Sequence, residues 1–217
     1  EGLLDYTAEG RNPAGGGYIP RFRNLHKQET DFLRGYAAGF GASRSKESDR
    51  SGLGLGLKDN LLNPKLGIWQ VGSHMMGETI PKESGMVSLD GSKTDDWGIP
   101  LLKIAVDYDE NDEKMKKDYI AVMTEMFTDA GFTNIRPDTH WQAPGLDIHE
   151  MGGARMGHDP KTSVLNKWNQ MHAVKNVFVT DGACMTSTLT QNPSLTYMAF
   201  SARSVDYAVS EMKKGNI

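Results

Sequence analysis

The sequence predicts an α+β fold with an antiparallel sheet, and three patterns support that prediction. Residues 66–76 alternate in side-chain bulk, and residues 100–106 form a second run of strand character. Over residues 111–130 the apolar side chains instead recur at helical spacing, with one of the first two residues as the expected N-cap and Gly131 as the left-handed stop. Long strands joined by loops, with one prominent helix, favour antiparallel pairing.

Shorter elements are predicted on both sides of this region. Residues 18–22 predict an edge strand, residues 29–40 a short helix and residues 43–56 a surface loop. Near the C-terminus, residues 176–180 predict a short buried strand, and a second helix is expected over residues 192–214.

Composition limits the class of protein. The chain has 217 residues, of which 38% are hydrophobic and 24% charged, and this fits one large globular domain or two small ones. Its net charge is -4, so nucleic acid is not an expected partner, and no apolar run is long enough to span a membrane. The lone Cys184 cannot form an internal disulfide, which leaves the redox compartment open. Because the chain starts at Glu1 rather than at methionine, we expect it to be part of a longer protein.

Residues 149–157 place a histidine before a loop that contains three glycines and an arginine. Glycines allow the backbone to approach a ligand closely, and a histidine can take up a proton near neutral pH. A structural histidine beside a glycine loop is the commoner arrangement. This motif alone therefore leaves the role of His149 open.

Two further segments are ambiguous in the same way. Asp181 ends the predicted strand and, with Gly182 and Ala183, is placed to meet a ribose, a ribityl chain or backbone amides, although a plain Asp-Gly turn is the alternative. Asn192 lies at the expected N-cap of the last helix, with Pro193 in its first turn. The free amides of such an N-terminus can stabilise an anionic ligand, or Asn192 can simply cap the helix.

Taken in order, these segments resemble the C-terminal signature of the glucose–methanol–choline (GMC) oxidoreductase family. The resemblance covers residues 149 to about 209. An asparagine, rather than a second histidine, in the last motif is most similar to pyranose 2-oxidase and bacterial sugar dehydrogenases. The motifs are His-x-x-Gly-Gly-x-Arg-Met-Gly at 149–157, Asp-Pro at 159–160, the run 174–183 and Asn-Pro-Ser-Leu-Thr at 192–196.

The resemblance implies an FAD-dependent enzyme that oxidises a CH–OH group of a sugar or alcohol by hydride transfer to flavin N5 and passes the electrons to an acceptor. It assigns His149 as the base that takes the hydroxyl proton and Asn192 as a hydrogen-bond partner of the same oxygen. The residues implied to contact FAD are Asp181, Gly182 and Ala183 along the ribityl and phosphate part, and Pro193, Ser194 and Leu195 at the pyrimidine end.

The resemblance also divides the chain into a substrate-binding domain at 1–140 and, at 141–217, the segment that completes the FAD site with a strand and a helix of an FAD-binding α/β domain. The dinucleotide fingerprint Gly-x-Gly-x-x-Gly is not found: residues 52–56 are rich in glycine, but no clear strand precedes them and no good helix follows. We therefore expect a fragment that neither holds FAD tightly nor turns over alone. Apolar surface exposed at the cut would favour a homodimer, and export of bacterial relatives favours the periplasm over the cytoplasm.

Other interpretations remain. Trp141, just before the first motif, is a candidate for stacking on a sugar ring. A carbohydrate-binding or subunit-like module could keep the signature without the chemistry, and a structural interaction protein is a third possibility; the presence of both proposed catalytic residues favours the enzyme. No metal site is expected, because no ligand motif matches the spacing of His140, His149, His158 and His172.

Overall fold

Two compact units make up the fold, and each consists of two segments of the chain. Unit 1 comprises Glu1–Gly77 and Glu113–Thr139, and unit 2 comprises Glu78–Asp112 and His140–Ile217. The computed structural model describes residues 15–47, 52–63, 65–146 and 149–217.

The boundaries of the units agree in part with the predicted domain boundary. The chain passes from unit 1 to unit 2 between Thr139 and His140, next to that boundary, but residues 78–112 also belong to unit 2. The functional assignment of 1–140 to substrate and 141–217 to FAD stays a prediction.

Unit 1 is built on a three-stranded antiparallel sheet in the order β1–β2–β3. The strands are β1 (Gly16–Ile19), β2 (Tyr36–Glu47) and β3 (Lys65–Gly77), and helix α1 (Gly54–Leu62) lies between β2 and β3 in the chain. The predicted edge strand is thus present but ends before Pro20, which has no N–H to donate to a ladder. The predicted strand at 66–76 is confirmed by β3.

Aromatic and sulfur-containing side chains form the core of unit 1. Phe32, Tyr36 and Met115 are buried together, with Met75 and Tyr119 packed against them. Apolar residues of β2, β3 and helix α2 (Glu110–Asp129) therefore meet in one cluster, which explains the helical spacing seen in the sequence.

Helix α2 begins with a reciprocal cap. Asp109 Oδ1 accepts a hydrogen bond from Asn111 N at 2.9 Å, and Asp112 Oδ2 accepts one from Asp109 N at 2.9 Å. The cap is therefore Asp109, not one of the two residues after Glu110 that the sequence suggested. Gly131, at φ 83°, ends the helix as predicted.

The helix predicted over 29–40 is wrong. Residues 29–34 form a turn, and β2 starts at Tyr36. The Asn24 side-chain amide donates to Phe32 O at 2.9 Å and Arg34 O at 2.8 Å, so it satisfies carbonyls that a helix would have satisfied itself.

The surface loop predicted over 43–56 is wrong in part. Residues as far as Glu47 continue β2, and Gly54 starts α1. Residues 48–51 lie outside the described residues.

Unit 2 contains a two-stranded antiparallel hairpin, a 3₁₀ turn and the last helix. The hairpin is β4 (Met86–Thr94) with β5 (Pro100–Ala105), and its turn is ordered by Asp95, whose Oδ1 accepts from Trp97 N and Ile99 N, both at 2.9 Å. The antiparallel sheets predicted from the sequence are confirmed here and in unit 1. The other elements are the 3₁₀ turn Gly182–Cys184 and helix α3 (Ser194–Lys213).

The buried strand predicted at 176–180 is wrong. The only pairing of this run in the described part of the chain is an isolated bridge between Phe178 and Gln170, and Val177 is 38% exposed. Val179 N donates to Asn169 O at 3.0 Å, and the Asn169 side-chain amide donates to Val179 O at 3.0 Å. A buried asparagine thus meets the backbone groups that a neighbouring strand would otherwise pair.

No helix among the described residues combines the length and apolar character needed to cross a bilayer.

Candidate active site

The histidine-glycine loop and the Asp-Gly turn are joined through their backbones. Ala154 N donates to Ala183 O at 2.9 Å, and Met156 N donates to Cys184 O at 3.0 Å. Two segments about thirty residues apart in the chain therefore lie side by side, although neither belongs to a sheet.

Gly182 is the point at which the third segment joins them. It is buried, and a Cβ at this position would lie 2.7 Å from Glu150 O and 2.8 Å from the Tyr197 hydroxyl oxygen. The Tyr197 hydroxyl, one turn into α3, also contacts Met151 Sδ at 3.9 Å. Only glycine fits this position, and the three sequence motifs converge around it.

Tyr197 was not found by the sequence reasoning. Burial raises the pKa of its hydroxyl, and the neighbouring acidic groups of Asp181, Cys184 and Glu150 raise it further. The hydroxyl therefore stays neutral and serves to connect the segments. No spacing rule distinguishes it from the other aromatic residues of an amphipathic helix.

His149 is half-buried at the start of the loop, and Gly152, at φ 85°, turns the chain behind it. Asn192 is exposed before α3. Within the described residues, no hydrogen bond joins His149 to Asn192. The structure thus brings their segments together without a direct bond between the two side chains.

Asp181 acts as a turn cap. Its Oδ1 accepts from Ala183 N at 2.9 Å at the start of the 3₁₀ turn, and the residue remains exposed. This is the plain Asp-Gly turn that the sequence left open. Because the Ala183 N–H is already used, Ala183 has no amide to offer a cofactor.

The start of α3 differs from the prediction. Pro193, at φ -92°, occupies the N-cap position and makes no side-chain capping hydrogen bond, so Asn192 is not the N-cap residue. The first turn contains no acid. The amides of Ser194 and Leu195 lie at the positive end of the helix dipole, and Leu195 is 78% exposed.

This helix start fits one edge of a flavin. Amide donors suit an electron-rich ring edge, and an exposed leucine offers apolar contact to a planar ring. Cys184, by contrast, is fully buried beside the junction, and burial raises the pKa of its thiol, so it packs as a small apolar residue.

The sequence also did not predict a hydrogen bond between helix α3 and Asn169. Arg203 of α3 donates to Asn169 Oδ1 at 2.9 Å, and Asn169 is fully buried at φ 63°. Arg203 therefore ties the last helix to the segment that replaces the predicted strand.

Trp141 stacks on Tyr108, with ring centroids 4.3 Å apart and an interplanar angle of 24°. One face of the indole is therefore covered by protein. Among the described residues, no three His, Cys, Asp or Glu side chains are grouped closely enough to hold a metal ion.

Comparison with known proteins gives the same assignment for this region. The GMC oxidoreductase family, through its C-terminal domain, matches residues 81–201. The chain is 31% identical over 188 residues to 2-methyl-1,2-propanediol dehydrogenase from Mycolicibacterium austroafricanum, covering 82% of this chain and 34% of that protein. It is 28% identical over 212 residues to the fructose dehydrogenase large subunit from Gluconobacter japonicus, covering 93% of this chain and 38% of that protein.

Pyranose 2-oxidase from Tricholoma matsutake is 25% identical over 148 residues, which cover 68% of this chain and 23% of that protein. The chain thus spans little more than a third of the length of the first two relatives. The matched region contains all three motifs that meet at Gly182. The chain therefore belongs to the GMC oxidoreductase family, whose members are FAD-dependent enzymes that act on CH–OH donors.

Proposed function

We propose that this chain supplies the C-terminal part of the active site of an FAD-dependent oxidoreductase that oxidises a CH–OH group of a sugar or alcohol. The observation that carries the proposal is the junction at Gly182, where the His149 loop, the Asp181 turn and α3 meet. The junction supports an active site because it brings together the segments that contain the two proposed catalytic residues, His149 and Asn192.

The chemistry divides among residues of this chain. His149 takes the proton of the substrate hydroxyl, and Asn192 donates a hydrogen bond to the same oxygen. Because Pro193, and not Asn192, occupies the N-cap position, the Asn192 amide is not committed to the helix. When bound, FAD would supply the acceptor for the hydride that leaves the substrate carbon.

The same geometry supports the cofactor contacts that we propose. The amides of Ser194 and Leu195 would face the pyrimidine end of the flavin, next to Pro193. Asp181 and Gly182 would lie along the ribityl part, with Ala183 in apolar contact only, since its N–H is bonded to Asp181. The protein would then pass the electrons to a separate acceptor.

This chain alone is proposed to hold FAD weakly. Its sequence lacks the Gly-x-Gly-x-x-Gly strand–turn–helix that would grip the pyrophosphate. Titration of FAD with the 217-residue chain should leave the flavin fluorescence close to that of free FAD. Tight stoichiometric quenching would contradict this part of the proposal.

The names of the relatives support a small polyol, sugar or alcohol as substrate, with Trp141 as a candidate contact. A periplasmic location and a homodimer remain proposals. Exposed apolar side chains on β4 and β5, such as Leu89 at 66% and Leu102 at 61%, support self-association, which light scattering would test.

The decisive test uses the product of the whole reading frame that contains this chain. Its visible spectrum is recorded without oxygen before and after addition of fructose, glucose or 2-methyl-1,2-propanediol. A flavin spectrum that bleaches with one of them supports the proposal and identifies the substrate. A protein that neither retains nor reconstitutes flavin would instead be a carbohydrate-binding or subunit-like module.

A further inference from the structure

An open cavity of about 420 Å³ lies in unit 2, outside the residues proposed for catalysis. We propose that this cavity binds a small anion, such as a phosphate ester. The residues that line it are Gly157, His158, Asn166, Lys167, Trp168, His172 and Tyr207.

Lys167, which lines the cavity, lies against an aromatic ring. Lys167 Nζ lies 5.2 Å from the centroid of the Trp168 ring, and Trp168 stacks on Tyr207 with centroids 4.8 Å apart and an interplanar angle of 5°. The ammonium group is therefore drawn to the cavity wall, where the ring attracts it.

The orientation of His172 is fixed by Ser163. Ser163 Oγ donates its single proton to Asp159 O at 2.7 Å, so in its 3.1 Å contact with His172 Nε2 the serine oxygen accepts. His172 therefore has a proton on Nε2. Gly157 makes this arrangement possible, because a Cβ there would lie 2.7 Å from the Ser163 Cβ.

The charges around the cavity are unequal in sign. No aspartate or glutamate is among the described residues that line it. Glu211, one turn beyond Tyr207, is bonded to Lys214 at 2.8 Å and to Asn216 at 2.6 Å, and Asp159 Oδ1 accepts from Lys161 N at 2.9 Å. Lys167 thus brings a positive charge to a space that no carboxylate lines among the described residues, and this favours an anion.

The size of the cavity suggests more than an inorganic ion. A volume of 420 Å³ lies within the range of about 300–1,000 Å³ that is usual for small-molecule sites. The Trp168–Tyr207 pair provides an apolar wall against which a ring can rest. A phosphorylated sugar therefore serves as the probe, with inorganic phosphate testing the charged group alone.

Isothermal titration calorimetry of this chain with glucose 6-phosphate, inorganic phosphate and glucose tests the proposal. We expect saturable binding of glucose 6-phosphate that depends on Lys167, whereas any binding of glucose at the proposed active site should not depend on Lys167. Lys167→Gln should raise the dissociation constant about fivefold, as expected for loss of one partly exposed ionic contact. His158→Gln should also weaken binding. Lys103→Gln, an exposed lysine of β5 away from the cavity, is the matched control and should bind as the parent does.

Each possible result either supports or overturns the proposal. Equal binding of inorganic phosphate and glucose 6-phosphate supports the anion site and reduces its ligand to the phosphate group. The proposal is overturned if neither phosphate compound binds, if Lys167→Gln binds glucose 6-phosphate as the parent does, or if Lys103→Gln weakens binding as much as Lys167→Gln. None of these results depends on flavin or on turnover.

Discussion

Unit 1 and the site-bearing part of unit 2 are stabilised by different means. In unit 1, Tyr36 makes edge-on contacts with Phe22 and Tyr119, each with centroids 5.5 Å apart, inside a cluster formed by strands and a helix. In unit 2, two backbone hydrogen bonds, from Ala154 N to Ala183 O and from Met156 N to Cys184 O, join the loops around Gly182. Packing of bulky side chains therefore stabilises unit 1. In unit 2, by contrast, the loops can approach each other closely because Gly182 has no side chain.

The two regions should therefore be sensitive to different kinds of substitution. A core of large side chains loses stability when a contact is removed, while a junction of close backbones loses its geometry when an atom is added. The proposed catalytic residues lie on the second kind of structure. Their positions should therefore be sensitive to small additions at Gly182.

The largest effect is expected for Gly182→Ala. Its new methyl group would meet the Glu150 carbonyl oxygen at 2.7 Å, and backbone cannot move aside cheaply. Overpacking of this kind should lower the free energy of unfolding by about 2–3 kcal/mol and displace the His149 loop. Urea denaturation followed by circular dichroism measures the first effect, and the rate of flavin bleaching in the whole protein measures the second.

Gly91→Ala is the matched control for that experiment. Gly91 lies in β4 of the same unit, and a Cβ there would meet nothing within 4 Å. Its stability should stay close to that of the parent. If the two variants were equally stable, Gly182 would not be the close junction described above.

A smaller loss is expected for Tyr36→Phe in unit 1. The Tyr36 hydroxyl donates to Asp118 Oδ2 at 2.6 Å, and Arg23 pairs with the same carboxylate at 2.9 Å. Loss of a hydrogen bond to a charged group should cost about 1.5 kcal/mol of unfolding free energy at neutral pH. The bleaching rate of the whole protein should change little.

The pH dependence of the stability provides a further test of the hydrogen bond between Tyr36 and Asp118. Burial, with the hydrogen bond to Asp118, raises the pKa of the Tyr36 hydroxyl. The stability that the neutral hydroxyl contributes is therefore complete below pH about 10 and is lost as the pH rises towards the raised pKa. Urea midpoints of parent and variant should converge in alkaline buffers. A gap that widens with pH would contradict the assigned bond.

The smallest effect on stability is expected for Asn192→Ala. Because Asn192 does not cap α3, the free energy of unfolding should change by less than about 0.5 kcal/mol, while the bleaching rate falls. Asp109→Ala removes a real helix cap and should cost about 1 kcal/mol. A comparable loss in both variants would show that Asn192 has a capping role after all.

The sequence predicted helices α2 and α3 and strands β3 and β5 because period and turn residues are local signals. Helix α2, its stop at Gly131 and strands β3 and β5 all followed from side-chain spacing. The turn at 29–34 could not be predicted, because the Asn24 side chain that satisfies its carbonyls is eight to ten residues away in sequence. Hydrogen bonds between distant residues leave no periodic trace.

The candidate site was predicted as three separate motifs and not as a junction. The order of the motifs indicated the family, and the match over 81–201 confirms it. The roles of Tyr197 and Asn169 could not be predicted, since each acts through a contact with a distant segment. The apolar run at 176–180 suggested a strand, but Asn169 meets its backbone instead.

The most direct test of this account compares His149→Ala with His26→Ala, an exposed histidine of unit 1, in the whole protein. The measurement is the rate at which the flavin absorbance bleaches after a single anaerobic addition of sugar or alcohol substrate. Removal of a general base should slow bleaching by about 10²–10⁴-fold in His149→Ala, and His26→Ala should match the parent. Bleaching of His149→Ala at the parent rate would contradict the assignment of His149 as the base.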